Sequence, residues 1–179
     1  MNQYEVKECF KNAIKDEQKG KKHKGLLIIK PDEKKAKEYL SKAKINLEFC
    51  ELLKQKRFDY KIPEEWFYTL YYCALAILAK IGVETRSQRC TAAFLRHVKD
   101  KGIIEYDDEL IERITVYRGK EEKSDVDERE TARYSSSTKS EEVISQYEHM
   151  EKICKKAISQ CEDIIYSDKK LEIPEELLV

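Results

Sequence analysis

The hydrophobic pattern of this chain is strongest from Trp66 to Gly82, where Trp66-Phe67-Tyr68-Thr69-Leu70-Tyr71-Tyr72-Cys73-Ala74-Leu75-Ala76-Ile77-Leu78-Ala79-Lys80-Ile81 is apolar around nearly its whole circumference and stops at a glycine. A helix of that kind must be surrounded by others. With about seventeen residues, polar tyrosine hydroxyls and Lys80, it is short and wet for a membrane span, which needs about 20 mostly apolar residues. It is expected to be the central rod of a soluble bundle.

Amphipathic stretches flank it. Val6, Phe10, Ala13 and Ile14 fall at helical spacing within residues 4–17 and predict a short N-terminal helix. Gly20 to Gly25, with Lys19, Lys21, Lys22, His23 and Lys24, reads as a basic linker, either a solvated loop or a phosphate-contacting arm. Leu26-Leu27-Ile28-Ile29 fits an extended strap or a helix turn equally well. Asp32 after Pro31 and before Glu33 supplies an N-cap and an acidic first turn for a helix to about Lys56, with Ala36, Leu40, Ala43, Leu47, Cys50 and Leu53 on one stripe. Pro63 opens the central helix. Thr85-Arg86-Ser87-Gln88 has capping-box spacing and predicts a third helix to about Asp100, with Cys90, Ala93, Phe94 and Val98 inward and Gly102 as its stop. A fourth is expected from Asp107 to about Glu122, with Leu110, Ile111, Ile114 and Tyr117 inward. Lys123–Ser137 reads as a loop. Thr138-Lys139-Ser140-Glu141 opens a last helix, whose stripe of Val143, Tyr147, Met150, Cys154, Ile158, Cys161 and Ile165 runs to about Tyr166. The tail from Leu171 adds a short helix or strap.

The pattern therefore predicts an all-α, up-and-down bundle of four to five main helices with an N-terminal helical extension. It divides into residues 1–31 (helix and basic linker) and residues 32–179 (bundle). Five glycines and three prolines in 179 residues agree with that class. The 35 basic and 35 acidic side chains cancel, which excludes a protein held to nucleic acid by global charge and leaves only local patches. Residues 105–130 form one acidic tract, read as a solvated face. The N-terminus has neither the basic nor the apolar region of a signal peptide, so a cytoplasmic protein is expected.

The six cysteines form no C-x-x-C pair and no zinc spacing with histidine, so no metal is expected and they read as small buried hydrophobes. Cys154 and Cys161, two helical turns apart, are about 10 Å from one another and cannot be bridged. Abundant Lys and Glu with little Gln or Asn suits a heat-adapted organism, where intracellular disulfides are less rare.

No nucleotide-loop, kinase, zinc-protease or serine-hydrolase motif occurs, and no cofactor is implied. His23, His97 and His149 are scattered without a nucleophile or carboxylate partner at local spacing. Arginine is more suggestive. Arg86, Arg89 and Arg96 crowd the third helix, and Arg113, Arg118, Arg129 and Arg133 follow, in a chain otherwise dominated by lysine. Arginine suits bidentate phosphate recognition, and Arg86 and Arg89 lie where a helix N-terminus also favours an anion. Ordinary surface ion pairs with nearby acids are the competing reading.

The run from Trp66 through Val83-Glu84-Thr85-Arg86-Ser87-Gln88 resembles the signature of HEPN domains, the higher eukaryote and prokaryote nucleotide-binding family. Leu95 to Ile103, anchored by Val98 and Gly102, is similar to that family's Phe-x-x-x-Val-x-x-Gly-x-Ile stretch. Arg129-Glu130-Thr131-Ala132-Arg133-Tyr134 is similar to its Arg-x-x-Ala-Asp-Tyr turn. The likeness covers about residues 32–166. It implies a bundle that dimerises, binds a nucleotide or RNA, and in toxin–antitoxin-like modules pairs with a small nucleotidyltransferase. The ribonuclease members carry Arg, four to six residues, then His, and this chain lacks that spacing: seven residues separate Arg89 from His97. The resulting expectation is a non-catalytic HEPN-like protein, with Arg86, Arg89, Arg129 and Arg133 on phosphate and Tyr134 as a stacking surface. The alternatives are a metal-independent ribonuclease using a displaced histidine such as His97 or His149, and a purely structural interaction or dimerisation protein.

Overall fold

A computed structural model of the chain describes residues 3–115 and 140–178. Among them are six α-helices and one two-stranded ribbon: α1 Gln3–Gln18, β1 Leu26–Ile28, α2 Glu33–Gln55, α3 Ile62–Ile81, β2 Val83–Thr85, α4 Gln88–Asp100, α5 Asp108–Arg113 and α6 Ser140–Ile165. The fold is the expected all-α bundle. No described helix is long and apolar enough to cross a membrane.

Helix α3 is the central rod. Trp66, Phe67, Leu70, Cys73, Ala74, Ala76, Ile77, Leu78, Ala79 and Ile81 are all buried, and the helix packs mainly on α2 and α6. Pro63 sits in its first turn, where the missing N–H costs no hydrogen bond. Gly82 ends it at φ 96°, a conformation that strains any residue with a Cβ. A Cβ there would also lie 2.7 Å from the Ile29 carbonyl oxygen and 3.0 Å from Pro31 Cδ. Helix α2 runs antiparallel to α3, as Lys80 to Glu33 at one end and Asn46 to Glu65 further along require. Asp32 caps it by accepting from Lys35 N–H at 2.9 Å, as expected. Of the expected α2 stripe only Leu47 is less than fully buried. Helix α6 closes the trio, with Cys154 Sγ–H directed at the Trp66 carbonyl and Cys161 Sγ–H at that of Cys73.

Four local expectations change. Thr85 does not open α4; it belongs to β2, where Leu26 pairs with Thr85, Leu27 with Glu84 and Ile28 with Val83. Ser87 is the N-cap, accepting from Cys90 N–H at 3.3 Å. The apolar run at Leu26 is thus a strand, because the residues after Gly82 offer it an unpaired edge. The fourth helix stops at Arg113, with Ile114 already outside helical geometry, while Leu110, Ile111 and Ile114 are inward as expected. The histidine of the basic linker is not solvated: His23 is 2% exposed. Finally, the cysteines are not all free, since Cys9 of α1 and Cys90 of α4 form a disulfide across 81 residues. The other four are buried thiols. Tyr117, the loop at 123–137 and the Thr138 capping box lie outside the described residues.

Candidate functional site

Eight lysines fall between residues 19 and 37, against Asp32 and Glu33 alone among acids. The fold gathers this run at the end of the bundle where α3 stops and α2 begins. The linker turns back along α1, because the Asp16 carbonyl accepts from Lys19 and Lys21 N–H at 3.1 and 3.0 Å and its carboxylate from Lys24 N–H at 3.1 Å. Gly25 is required here: a Cβ would collide with the Cys9 carbonyl. Ile29 N–H and Asp32 N–H then bond to the Gly82 and Ala79 carbonyls, so the start of α2 lies beside the end of α3. Lys19, Lys21, Lys22, Lys24, Lys30, Lys34 and Lys37 are left exposed.

Arg86 and Arg89 border this end. Arg86 follows β2, and its N–H bonds to the Gly25 carbonyl at 3.2 Å. Its Nε donates to Glu84 Oε1 at 3.2 Å. The same oxygen lies 3.1 Å from Nε2 of buried His23, whose Nδ1 accepts from Gly25 N–H at 3.4 Å. With Nδ1 accepting, the neutral ring carries its proton on Nε2 and donates it to Glu84. Glu84 is held below the usual carboxylate range, first by that hydrogen bond and then by the charges of Arg86 and Lys35, against partial burial. Arg89 donates from Nε to Glu5 of α1 at 2.7 Å. Two of the four predicted phosphate arginines, Arg86 and Arg89, therefore border the basic end, and each already holds an acid. Arg129, Arg133 and Tyr134 lie outside the described residues.

Beside the lysines stands an aromatic surface, of which only Tyr72 belongs to the helix that the pattern reads as core. Tyr39 of α2 stacks on Tyr72 of α3, with centroids 6.2 Å apart and planes 20° from parallel, and both are only partly buried. Lys42 Nζ lies 5.7 Å from each ring centroid. Burial pushes the Tyr72 hydroxyl up, aided by Tyr68 and Glu65. The available signal was the use of tyrosine where phenylalanine or leucine would fill a core. A dent of only about 20 Å³, lined in part by Lys35, Tyr39, Leu75 and Glu84, lies between Tyr39 and the ribbon. The larger hollow, about 590 Å³ over Glu33, Lys34, Lys37, Glu38 and Ser41, is wide open to solvent. Neither encloses a small molecule as a ligand pocket does.

The remaining cationic and imidazole candidates stand elsewhere. Arg96 is largely buried and pairs with Glu112 and Asp108, which makes it a structural ion pair. His97 is 9% exposed and faces Glu176 of the tail at 3.4 Å. Burial lowers its pKa, partly opposed by Glu176. Seven residues of helix lie between Arg89 and His97, which sets them about 12 Å apart along the axis. His149 is exposed on α6. Among the described residues no group of three or more His, Cys, Asp or Glu is placed to hold a metal.

Comparison with family models, with curated proteins and with solved structures returns no match for this chain.

Proposed function

We propose that this chain is a HEPN-like helical module that binds the phosphates of a nucleotide or, better, of a single-stranded nucleic acid across its basic end, without cleaving it. The observation that carries this reading is the lysine surplus of residues 19–37 beside the half-buried Tyr39–Tyr72 pair. Cations that track a backbone and rings on which bases stack are the two parts of a single-strand surface. The open shape favours a strand lying across the surface over an enclosed mononucleotide. Arg86 and Arg89 would exchange Glu84 and Glu5 for phosphate, and the resemblance adds Arg129, Arg133 and Tyr134. Nothing in this reading needs a cofactor. A small nucleotidyltransferase partner remains part of it on the strength of the resemblance alone.

The test is a titration with labelled single-stranded RNA and with ATP at two salt concentrations. RNA binding should weaken with salt, and Lys21→Ala/Lys22→Ala/Lys24→Ala should lower the affinity about tenfold at low salt. Salt-independent binding, or an unaffected triple variant, would count against the reading.

A second reading, an interaction protein that pairs with a second copy, has its own observation. On the outer face of α2, Ile45, Phe49 and Leu52 are 59, 42 and 47% exposed, one helical stripe with Glu38 before it and Lys56 after it. Two such helices laid antiparallel bring Ile45 to Phe49 and Glu38 to Lys56 at both ends, the self-complementarity a two-fold interface requires. Light scattering should then report a dimer. Glu38→Lys and Lys56→Glu should each weaken it and together restore it.

A further inference from the structure

The helix that covers Arg89 is fastened by a covalent bond, and that bond lies one residue from the arginine. Cys9 and Cys90 join α1 to the first turn of α4, with their Cα atoms 5.9 Å apart. One turn before Cys9, Glu5 occupies the Arg89 guanidinium. At the far end of α1, Asp16 holds the lysine linker through its side chain and its carbonyl. The seat of α1 therefore governs both the arginine and the lysines.

The non-covalent attachment of α1 is modest. It packs on β1 and α4 through Val6, Phe10 and Ala13, with Phe10 edge-on to Phe94 at 6.2 Å. A helix of sixteen residues is marginal in water without tertiary support. The remaining thiols are out of play. Cys50, Cys73, Cys154 and Cys161 are all buried, and burial pushes the Cys50 thiol up to about 12. Thiol chemistry is thereby concentrated on the one pair that holds an acidic residue over a basic one.

We infer that α1 is a redox-released cover, which the Cys9–Cys90 disulfide holds over Arg89 at the edge of the basic end and a dithiol reductant frees. This rests on the phosphate reading of Arg89. In the step, one thiolate of the dithiol attacks a sulfur of the pair, opened by fraying of the first turns of α1. A mixed disulfide forms, and the other protein sulfur leaves as a thiolate and takes a proton. The second thiol of the reductant then displaces the remaining protein sulfur. The protein gains two thiols, the reductant becomes its disulfide, and two electrons and two protons have passed to the protein. Glu5 leaves with α1 and frees the Arg89 guanidinium, while the linker lysines, exposed already, lose only the backbone hydrogen bonds that Asp16 accepts from them.

The experiment uses the full chain purified without reductant. Alkylation after denaturation should label four thiols before reduction and six after it. Hydrogen exchange over α1 should then speed up at least about tenfold on adding dithiothreitol, while α3 is unchanged. Labelled single-stranded RNA should bind the reduced protein about two- to fivefold more tightly, the scale of one exposed ion pair removed. In the oxidised protein, Glu5→Gln should recover part of that gain. Six labelled thiols before reduction, or α1 exchange that reduction leaves alone, overturns the cover whatever the RNA does. Faster α1 exchange with no RNA binding in either state supports the release and overturns the phosphate reading instead.

Discussion

Two charged regions of this bundle obey different rules. At the corner formed by the end of α4, α5 and the middle of α6, each cation meets an acid: Arg96 pairs with Glu112 and Asp108, Lys99 with Asp108 at 2.7 Å, Arg113 with Glu109 at 3.3 Å and Lys156 with Asp107. Asp107 and Asp108 are both held below the usual carboxylate range, each first by its lysine's hydrogen bond. At the basic end the acids run short. Glu84 serves His23 and Arg86 with one oxygen, Glu33 takes Lys80, and seven exposed lysines of residues 19–37 surround them. Matched charges knit elements together, whereas a surplus leaves a field that an anion can relieve. The same residue types thus mark structure in one place and a candidate binding surface in the other.

The comparison can be broken most forcefully at Gly82, on which the basic end is built. Gly82→Ala should cost about 2–4 kcal/mol, from the left-handed backbone and the close approach of Ile29 and Pro31, read as a lower urea midpoint. RNA affinity should fall with it, since the ribbon and the start of α2 both lean on that turn. At the matched corner the expectation reverses. Arg96→Ala should cost only about 1 kcal/mol, because Glu112 and Asp108 are solvent-exposed and Asp108 keeps Lys99, and should leave RNA binding unchanged. Equal effects of the two variants on RNA binding would erase the distinction between the regions.

A finer probe is pH. His97 is buried and its pKa lies below its ordinary value, so between the folded and unfolded values the unfolded chain binds the extra proton. Its contribution is complete above about pH 6.5 and declines as pH falls through the lower, folded value. Glu176 and Lys101, 2.6 Å from each other, face the imidazole from the tail and from the residue after α4. His97→Gln should flatten the stability-against-pH curve in that window and leave RNA binding untouched. Glu84 should act lower on the scale. Its depressed pKa lends stability above the ordinary carboxylate value that is lost as pH falls through the folded one, and Glu84→Gln should remove that slope.

Much of the fold was legible because it depends on local periodicity. The apolar circumference of α3, the stripes of α2 and α6, the Asp32 cap and the Gly82 stop follow from residues within a few turns of one another. The candidate site was legible only as a list. Arg86 and Arg89 were named, but nothing in their neighbourhood announced that Glu5, 84 residues away, would occupy one of them. Tyr72 looked like a core residue because it lies in a helix that is apolar around nearly its whole circumference, a pattern that does not report how far a neighbouring helix covers each face. Tyr39 fell off the α2 stripe, so the periodicity carried no signal for it. His23 looked solvated because its sequence neighbours are lysines, while its carboxylate comes from residue 84.

The sequence by itself determined a helical bundle, its central rod, most of its helix starts and stops, and a lysine-rich segment near its beginning. Only the tertiary structure decided that this segment returns along α1 and adds a strand beside β2. It likewise decided that Cys9 meets Cys90, and that among the described residues the corner acids are matched while the exposed lysines of residues 19–37 are not. Helices are specified by contacts three and four residues apart, which a linear pattern records. Ribbon pairing, disulfides and charge balance depend on contacts between distant residues, which are fixed only once the apolar faces have packed and excluded every other arrangement.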